Sequence, residues 1–145
     1  MWAYFDTSVL VKRYVDEPGR ADVLRLLRDF DVVTSAIAPV ELRSALRRRS
    51  ADRTLSHAAA AAVLKRVTAD RAFWITVDVT GTVLDGAEKL VARLRLRTLD
   101  AIHVASAQLF AARMNLPAVD FVSADHRQID GAQGLGLTAR LIGGG

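Results

Sequence analysis

Four acidic residues stand at joints between apolar segments. Asp6 follows Met1–Phe5, Glu41 lies in P-V-E-L, Asp100 in R-T-L-D-A-I-H-V-A, and Asp125 ends F-V-S-A-D. Singly, each has an ordinary role: a turn or N-cap, a helix-edge charge, a first-turn acid, a loop residue. Jointly they fit such roles less well, because Asp6 follows an apolar strand, Glu41 borders a core face and Asp100 opens a helix that is apolar on most sides. Unpaired carboxylates buried together cost on the order of several kcal/mol per ion and take up protons unless a cation neutralises them. Hard divalent cations take oxygen ligands, and Mg²⁺ uses one or two protein carboxylates while leaving room for phosphate oxygens and an attacking water. These residues therefore point to Mg²⁺- or Mn²⁺-assisted hydrolysis of a phosphodiester. Asp6 and Asp100 are the expected principal ligands, Glu41 assists directly or through water, and Asp125 completes a second site or orients the water.

Other side chains offer less. Thr7 and Ser8 either bond the Asp6 carboxylate or cap the next helix, with the cap favoured. His57, His103 and His126 share no metal-ligand spacing such as H-E-x-x-H. His103 falls on the apolar helix and reads as a core or interface residue with a satisfied hydrogen bond, while His126 adjoins Asp125 and could touch substrate. There is no G-x-S-x-G elbow, Walker A loop or G-x-G-x-x-G turn, so acyl-enzyme and nucleotide-cofactor chemistry have no support. A phosphatase or phospho-receiver fits poorly, since Ser8 stands where a second aspartate is needed and no lysine follows the late strands.

The chain has no cysteine, which excludes disulfides and thiolate sites and leaves only oxygen and imidazole for any metal. Its 20 Lys+Arg against 16 Asp+Glu give a net charge of +4, compatible with a polyanionic partner such as RNA. Arginine dominates, the only lysines being Lys12, Lys65 and Lys89, so the basicity equally fits a compositional bias. The run Arg47-Arg48-Arg49 reads either as a solvated helix end complementing the helix dipole or as a phosphate-contacting patch. No apolar run is long enough for a membrane span and the N-terminus lacks signal-peptide features, so no membrane association and a cytoplasmic location are expected.

The elements that must position the acids can be read from periodicity. Short apolar strands are expected at Trp2–Phe5, Val32–Thr34, Trp74–Val77 and Ala118–Val122, with a possible last strand around Thr138–Leu141. Helical spacing covers Val9–Tyr14, the segment around Ala21–Leu27, Pro39–Arg49, an alanine-rich stretch from Ser56 to about Arg71, Val83–Leu94 and Asp100–Arg113. Gly131, Gly134 and Gly136 suggest a loop before the last strand, and Gly143-Gly144-Gly145 a frayed terminus. With 51% hydrophobic residues, the 145-residue chain suits a single domain, 1–145. Strands alternating with helices imply an α/β/α sandwich with a central, mostly parallel sheet of four or five strands. Ligands of such sheets bind beyond the carboxyl ends of the strands, the edge to which Asp6 and Asp125 belong.

Three segments together resemble the PIN-domain ribonucleases, specifically the VapC-type toxins of bacterial toxin–antitoxin pairs. Y-F-D-T-S-V-L-V-K-R-Y at Tyr4–Tyr14 is similar to the family's opening strand and helix, V-E-L-R-S-A-L at Val40–Leu46 to its glutamate helix, and L-D-A-I-H-V-A-S-A at Leu99–Ala107 to its central aspartate helix. The resemblance implies metal-binding and catalytic roles for Asp6, Glu41 and Asp100. For the fourth acid, F-V-S-A-D resembles the end of the fourth strand and implies Asp125, although the following H-R-Q-I departs from the commoner continuation; Asp120 lies inside the strand and is the poorer candidate. It further implies Mg²⁺-dependent endonucleolytic cleavage of RNA, a homodimer, and inhibition by a small cognate antitoxin whose tail occupies the active-site groove. The alternative is a catalytically inactive PIN-like module that binds RNA or protein without cutting.

Overall fold

The computed structural model describes residues 1–143; of the terminal glycines, Gly144 and Gly145 lie outside them. Five strands, β1 (Trp2–Phe5), β2 (Asp31–Ser35), β3 (Ile75–Val77), β4 (Asp120–Ser123) and β5 (Thr138–Leu141), form one sheet in the order β3-β2-β1-β4-β5. Every pairing is parallel, with Tyr4 opposite both Val33 and Phe121 and Ser123 opposite Leu141. Among the described residues the helices are α1 (Thr7–Tyr14), α2 (Arg20–Asp29), α3 (Ala38–Ala51), α4 (His57–Asp70), α5 (Gly81–Arg93), α6 (Thr98–Arg113) and α7 (His126–Gly134), with a 3₁₀ turn at Arg71–Phe73.

Side chains alternate across a strand, so each strand feeds two cores. Ala3, Phe5, Val32 and Val122 pack with Val9, Leu10, Leu42, Leu46 and Val67 from the α1–α4 layer. Tyr4, Val33 and Phe121 point the other way, against Val83, Leu90, Ile102, Val104 and Ile129 from α5–α7. This is the expected α/β/α sandwich, with five strands, all parallel.

Local signals explain most boundaries. Asp6, Ser56 and Thr80 cap α1, α4 and α5 through their side-chain oxygens, and Pro39 occupies the first turn of α3. Gly19 turns the chain into α2 at φ +90°, where a side chain would also meet Ile142 Cγ2 at 2.9 Å.

The expected glycine loop is the one element to correct. Residues His126–Gly134 form α7, capped by the Asp125 carboxylate, which accepts from the Arg127 N–H. Gly131 sits inside this helix, where an added Cβ would come within 3.1 Å of Leu96 Cδ1. It marks close packing and not a turn.

The order of the sheet fixes where a ligand can bind. The chain runs outward from β1 through β2 to β3, then returns to place β4 on the other side of β1. Between β1 and β4 the connections leave in opposite directions, which opens a crevice at the carboxyl ends of the strands.

Candidate active site

Asp6 leaves β1 at that crevice, tied to β4 by its N–H to the Val122 carbonyl at 2.9 Å. Glu41 lies in the first turn of α3 and Asp100 in the first turn of α6, so both carboxylates sit where helix dipoles favour negative charge. Asp6, Glu41 and Asp100 line one open cleft. It continues outward past Val40, Ser44, Arg48, Arg97 and Leu99 into a wider mouth of about 750 Å³.

Asp6 is 5% exposed and its two oxygens are separately engaged. Oδ2 accepts from the Ser8 N–H at 3.0 Å and the Ser8 hydroxyl at 2.5 Å, while Oδ1 accepts from Gln128 Nε2 at 3.2 Å. The helix cap is therefore Asp6 itself. The favoured capping role for Ser8 gives way to its bond with the carboxylate, and its oxygen also accepts from the Ala124 N–H at 3.1 Å. Thr7 donates to Glu41 Oε1 at 2.7 Å.

His103 is fully buried with satisfied hydrogen bonds, and its partners belong to the site. Nε2 lies 2.6 Å from Glu41 Oε1 and 3.4 Å from Asp6 Oδ1, and Nδ1 lies 2.9 Å from the Tyr4 hydroxyl. An ionised carboxylate only accepts, so Nε2 carries a hydrogen toward Glu41. Burial alone would lower the His103 pKa, but the charge of Asp6, the hydrogen bond and charge of Glu41 and the charge of Asp100 together raise it. Tyr4 beneath it is pushed well up by burial.

Asp100 is half-buried, and that desolvation raises its pKa, with the charges of Asp6 and Asp125 adding to the effect and Arg97 opposing it. Arg97 Nε donates to Asp100 Oδ2 at 3.1 Å, and its Nη2 approaches Asp125 Oδ2 at 3.8 Å. Asp125 thus stands one residue out from the other acids, reached through an exposed arginine, with one oxygen committed to capping α7. Asp120 lies at the opposite end of β4 and pairs with Arg140.

The arginine run divides. Arg48 and Arg49 border the acidic cleft together with Lys12 and Glu17, whereas Arg47 faces the groove between α3 and α4. Glu17 holds Lys12 at 3.3 Å and Arg49 at 2.8 Å.

Among the described residues no three acidic or imidazole side chains are gathered tightly enough to enclose an ion. The donor set nevertheless suits a cation that retains its waters. Asp6 and Asp100 each offer an oxygen to the same amide nitrogen, and two carboxylates with open solvent beside them are what Mg²⁺ or Mn²⁺ ordinarily uses.

Neither Gln128 nor the pairing of His103 with Glu41 was singled out in the sequence. The departure from the family pattern at H-R-Q-I was the one available signal for the former.

The chain is similar to known proteins. The profile of the PIN domain matches residues 3–132. Ribonuclease VapC46 of Mycobacterium tuberculosis (strain ATCC 25618 / H37Rv) is 33% identical over 141 residues, spanning 92% of this chain and 92% of its own. A solved toxin–antitoxin complex from Klebsiella pneumoniae contains a chain that superposes with a TM-score of 0.66 at 17% identity, over 91% of this chain and 93% of that one. At that identity the likeness is one of fold.

Proposed function

The chain belongs to the PIN-domain family, and we propose that it is a metal-dependent endoribonuclease that hydrolyses RNA phosphodiester bonds as the toxin of a toxin–antitoxin pair. One observation carries this reading: Asp6, Glu41 and Asp100 meet in a cleft whose walls also carry four basic residues, Lys12, Arg48, Arg49 and Arg97, with Glu17 between Lys12 and Arg49. Support comes also from the relative that bears the name ribonuclease and from the VapC-like segments around the three acids.

Asp6 and Asp100 would hold the divalent cation, Mg²⁺ or Mn²⁺, with Asp125 joining through water from across Arg97. The ion would supply Lewis-acid stabilisation of phosphate charge and acidify a water. Glu41 would orient the attacking water and take its proton. Thr7 and His103 both engage its Oε1, which fixes the carboxylate plane and leaves Oε2 free of those two bonds. Arg48 and Arg97 at the mouth bind flanking phosphates as point charges or forks. The exposed Val40 and Leu99 give the same mouth apolar surface for bases to rest on.

No helix among the described residues is long and apolar enough to cross a membrane. The toxin reading adds a cytoplasmic location, a homodimer and an antitoxin that blocks the cleft. The deciding experiment incubates purified protein with structured RNA and Mg²⁺ or Mn²⁺ and maps the ends produced. Cleavage is expected to disappear with EDTA and in Asp6→Asn and Asp100→Asn; turnover persisting in both variants would remove the assignment.

A further inference from the structure

Gln128 is a fully buried amide between two acids. Its Nε2 lies 3.2 Å from Asp6 Oδ1 and 3.2 Å from Asp100 Oδ1. The orientation of the amide is imposed from behind. The Asp125 N–H donates to Ser123 Oγ at 3.0 Å, so the single Ser123 hydroxyl hydrogen is available for Gln128 Oε1, which it reaches at 2.5 Å. With Oε1 occupied as an acceptor, the NH₂ group must face the carboxylates, and its two hydrogens match two acceptors. The remaining oxygens of the pair are held by Ser8 and Arg97.

The end of β4 and the cap of α7 therefore reach the acidic pair through Ser123 and Gln128, while the Asp125 carboxylate stays outside. We propose that Gln128 is a positioning residue that stands in for the divalent cation in the metal-free protein. Its NH₂ group relieves the repulsion between Asp6 and Asp100 and yields those oxygens when an ion binds, so it sets how tightly metal is held. N–H hydrogens and a cation present the same sign of charge to the same oxygens, and they compete. The inference rests on the proposed function, since it takes Asp6 and Asp100 as the metal pair.

The test uses the whole chain stripped of metal, with Mn²⁺ alone as the probe, titrated calorimetrically and followed by thermal unfolding with and without the ion. In Gln128→Leu, which replaces the amide with a branched apolar side chain one atom shorter, the melting temperature in EDTA should fall below that of the wild type. Mn²⁺ should then raise it by more than it raises the wild type, and Mn²⁺ should bind about tenfold tighter, the equivalent of one hydrogen bond to a charged group no longer opposing entry. Ser123→Ala loosens the amide without removing it and should shift both readings in the same direction by less, which keeps the idea testable if the leucine variant folds poorly. A merely structural role lowers the metal-free and loaded forms alike. An equal or smaller Mn²⁺-induced rise, or weaker binding, in the two variants would overturn the role of Gln128 alone. A wild type that takes up no Mn²⁺ would overturn the metal-dependent function, and this inference with it.

Discussion

His103 Nε2 lies 2.6 Å from Glu41 Oε1, joining helices α6 and α3 across 62 positions of sequence beneath the cleft. Behind it the Tyr4 hydroxyl meets Nδ1, so the imidazole links the centre of the sheet to the glutamate. A carboxylate held from behind keeps its orientation without involving solvent.

His103→Phe keeps an aromatic ring, somewhat larger than the imidazole, and removes both nitrogens. Activity at saturating metal should fall about 10- to 100-fold, the range for losing a group that orients a catalytic ligand. Stability should fall by about 1–3 kcal/mol because the Tyr4 hydroxyl is left buried without its partner. Tyr4→Phe should cost less on both measures. Steady-state cleavage and denaturant unfolding of the three proteins check the order.

Arg48 and Arg97 border the mouth of the cleft, and Arg47 does not. Arg48→Ala and Arg97→Ala should each weaken RNA binding and reduce the slope of log affinity against log salt by about 0.7, the single-strand value per phosphate contact. Arg47→Ala should leave that slope unchanged. Filter binding of a catalytically silenced Asp100→Asn background over a salt series distinguishes them.

Glu17 gives the site wall a pH dependence. Burial pushes its carboxyl up, but the hydrogen bond and charge of Arg49, with those of Lys12, outweigh this and hold it below the ordinary value of 4.5. A carboxylate with a depressed folded pKa binds its proton less readily than the unfolded chain does. Its contribution is therefore complete above 4.5 and lost as pH falls through the lower, folded value. Glu17→Gln should remove part of the acid-induced fall in melting temperature below that pH, seen by comparing both proteins across an acid titration.

Gly19→Ala should destabilise the fold by at least about 1–2 kcal/mol, the cost of a left-handed conformation for an ordinary residue. The close approach of Ile142 Cγ2 adds to it. Gly19 does not itself line the cleft, although Lys12, which does, bonds the adjacent Pro18 carbonyl, so the loss of stability should exceed any change in cleavage per folded molecule. Urea unfolding and activity measured on the same preparation separate the two effects.

Much of this was legible in the chain. The strand Trp2–Phe5, the Ser56 cap and the glutamate at the start of the Pro39 helix follow from signals that act over one or two turns of backbone. Helix α7 escaped because its glycines read as loop formers, whereas Gly131 answers to Leu96 from another segment. The role of Ser8 is only half legible in sequence: the Asp6 carboxylate lies two residues back, but the Ala124 N–H that its hydroxyl also meets is 116 residues away.

The sequence by itself determined the layered α/β architecture and placed acids at the starts of helices, because periodicity, capping and helix dipoles are local properties. Only the tertiary structure decided which groups those acids meet. It set Gln128 against Asp6 and Asp100, set His103 against Glu41, and left Asp125 behind Arg97. Those pairings arise from the return of the chain to the far side of β1, and a strand order is settled by the packing of both faces at once, which no short window of residues encodes.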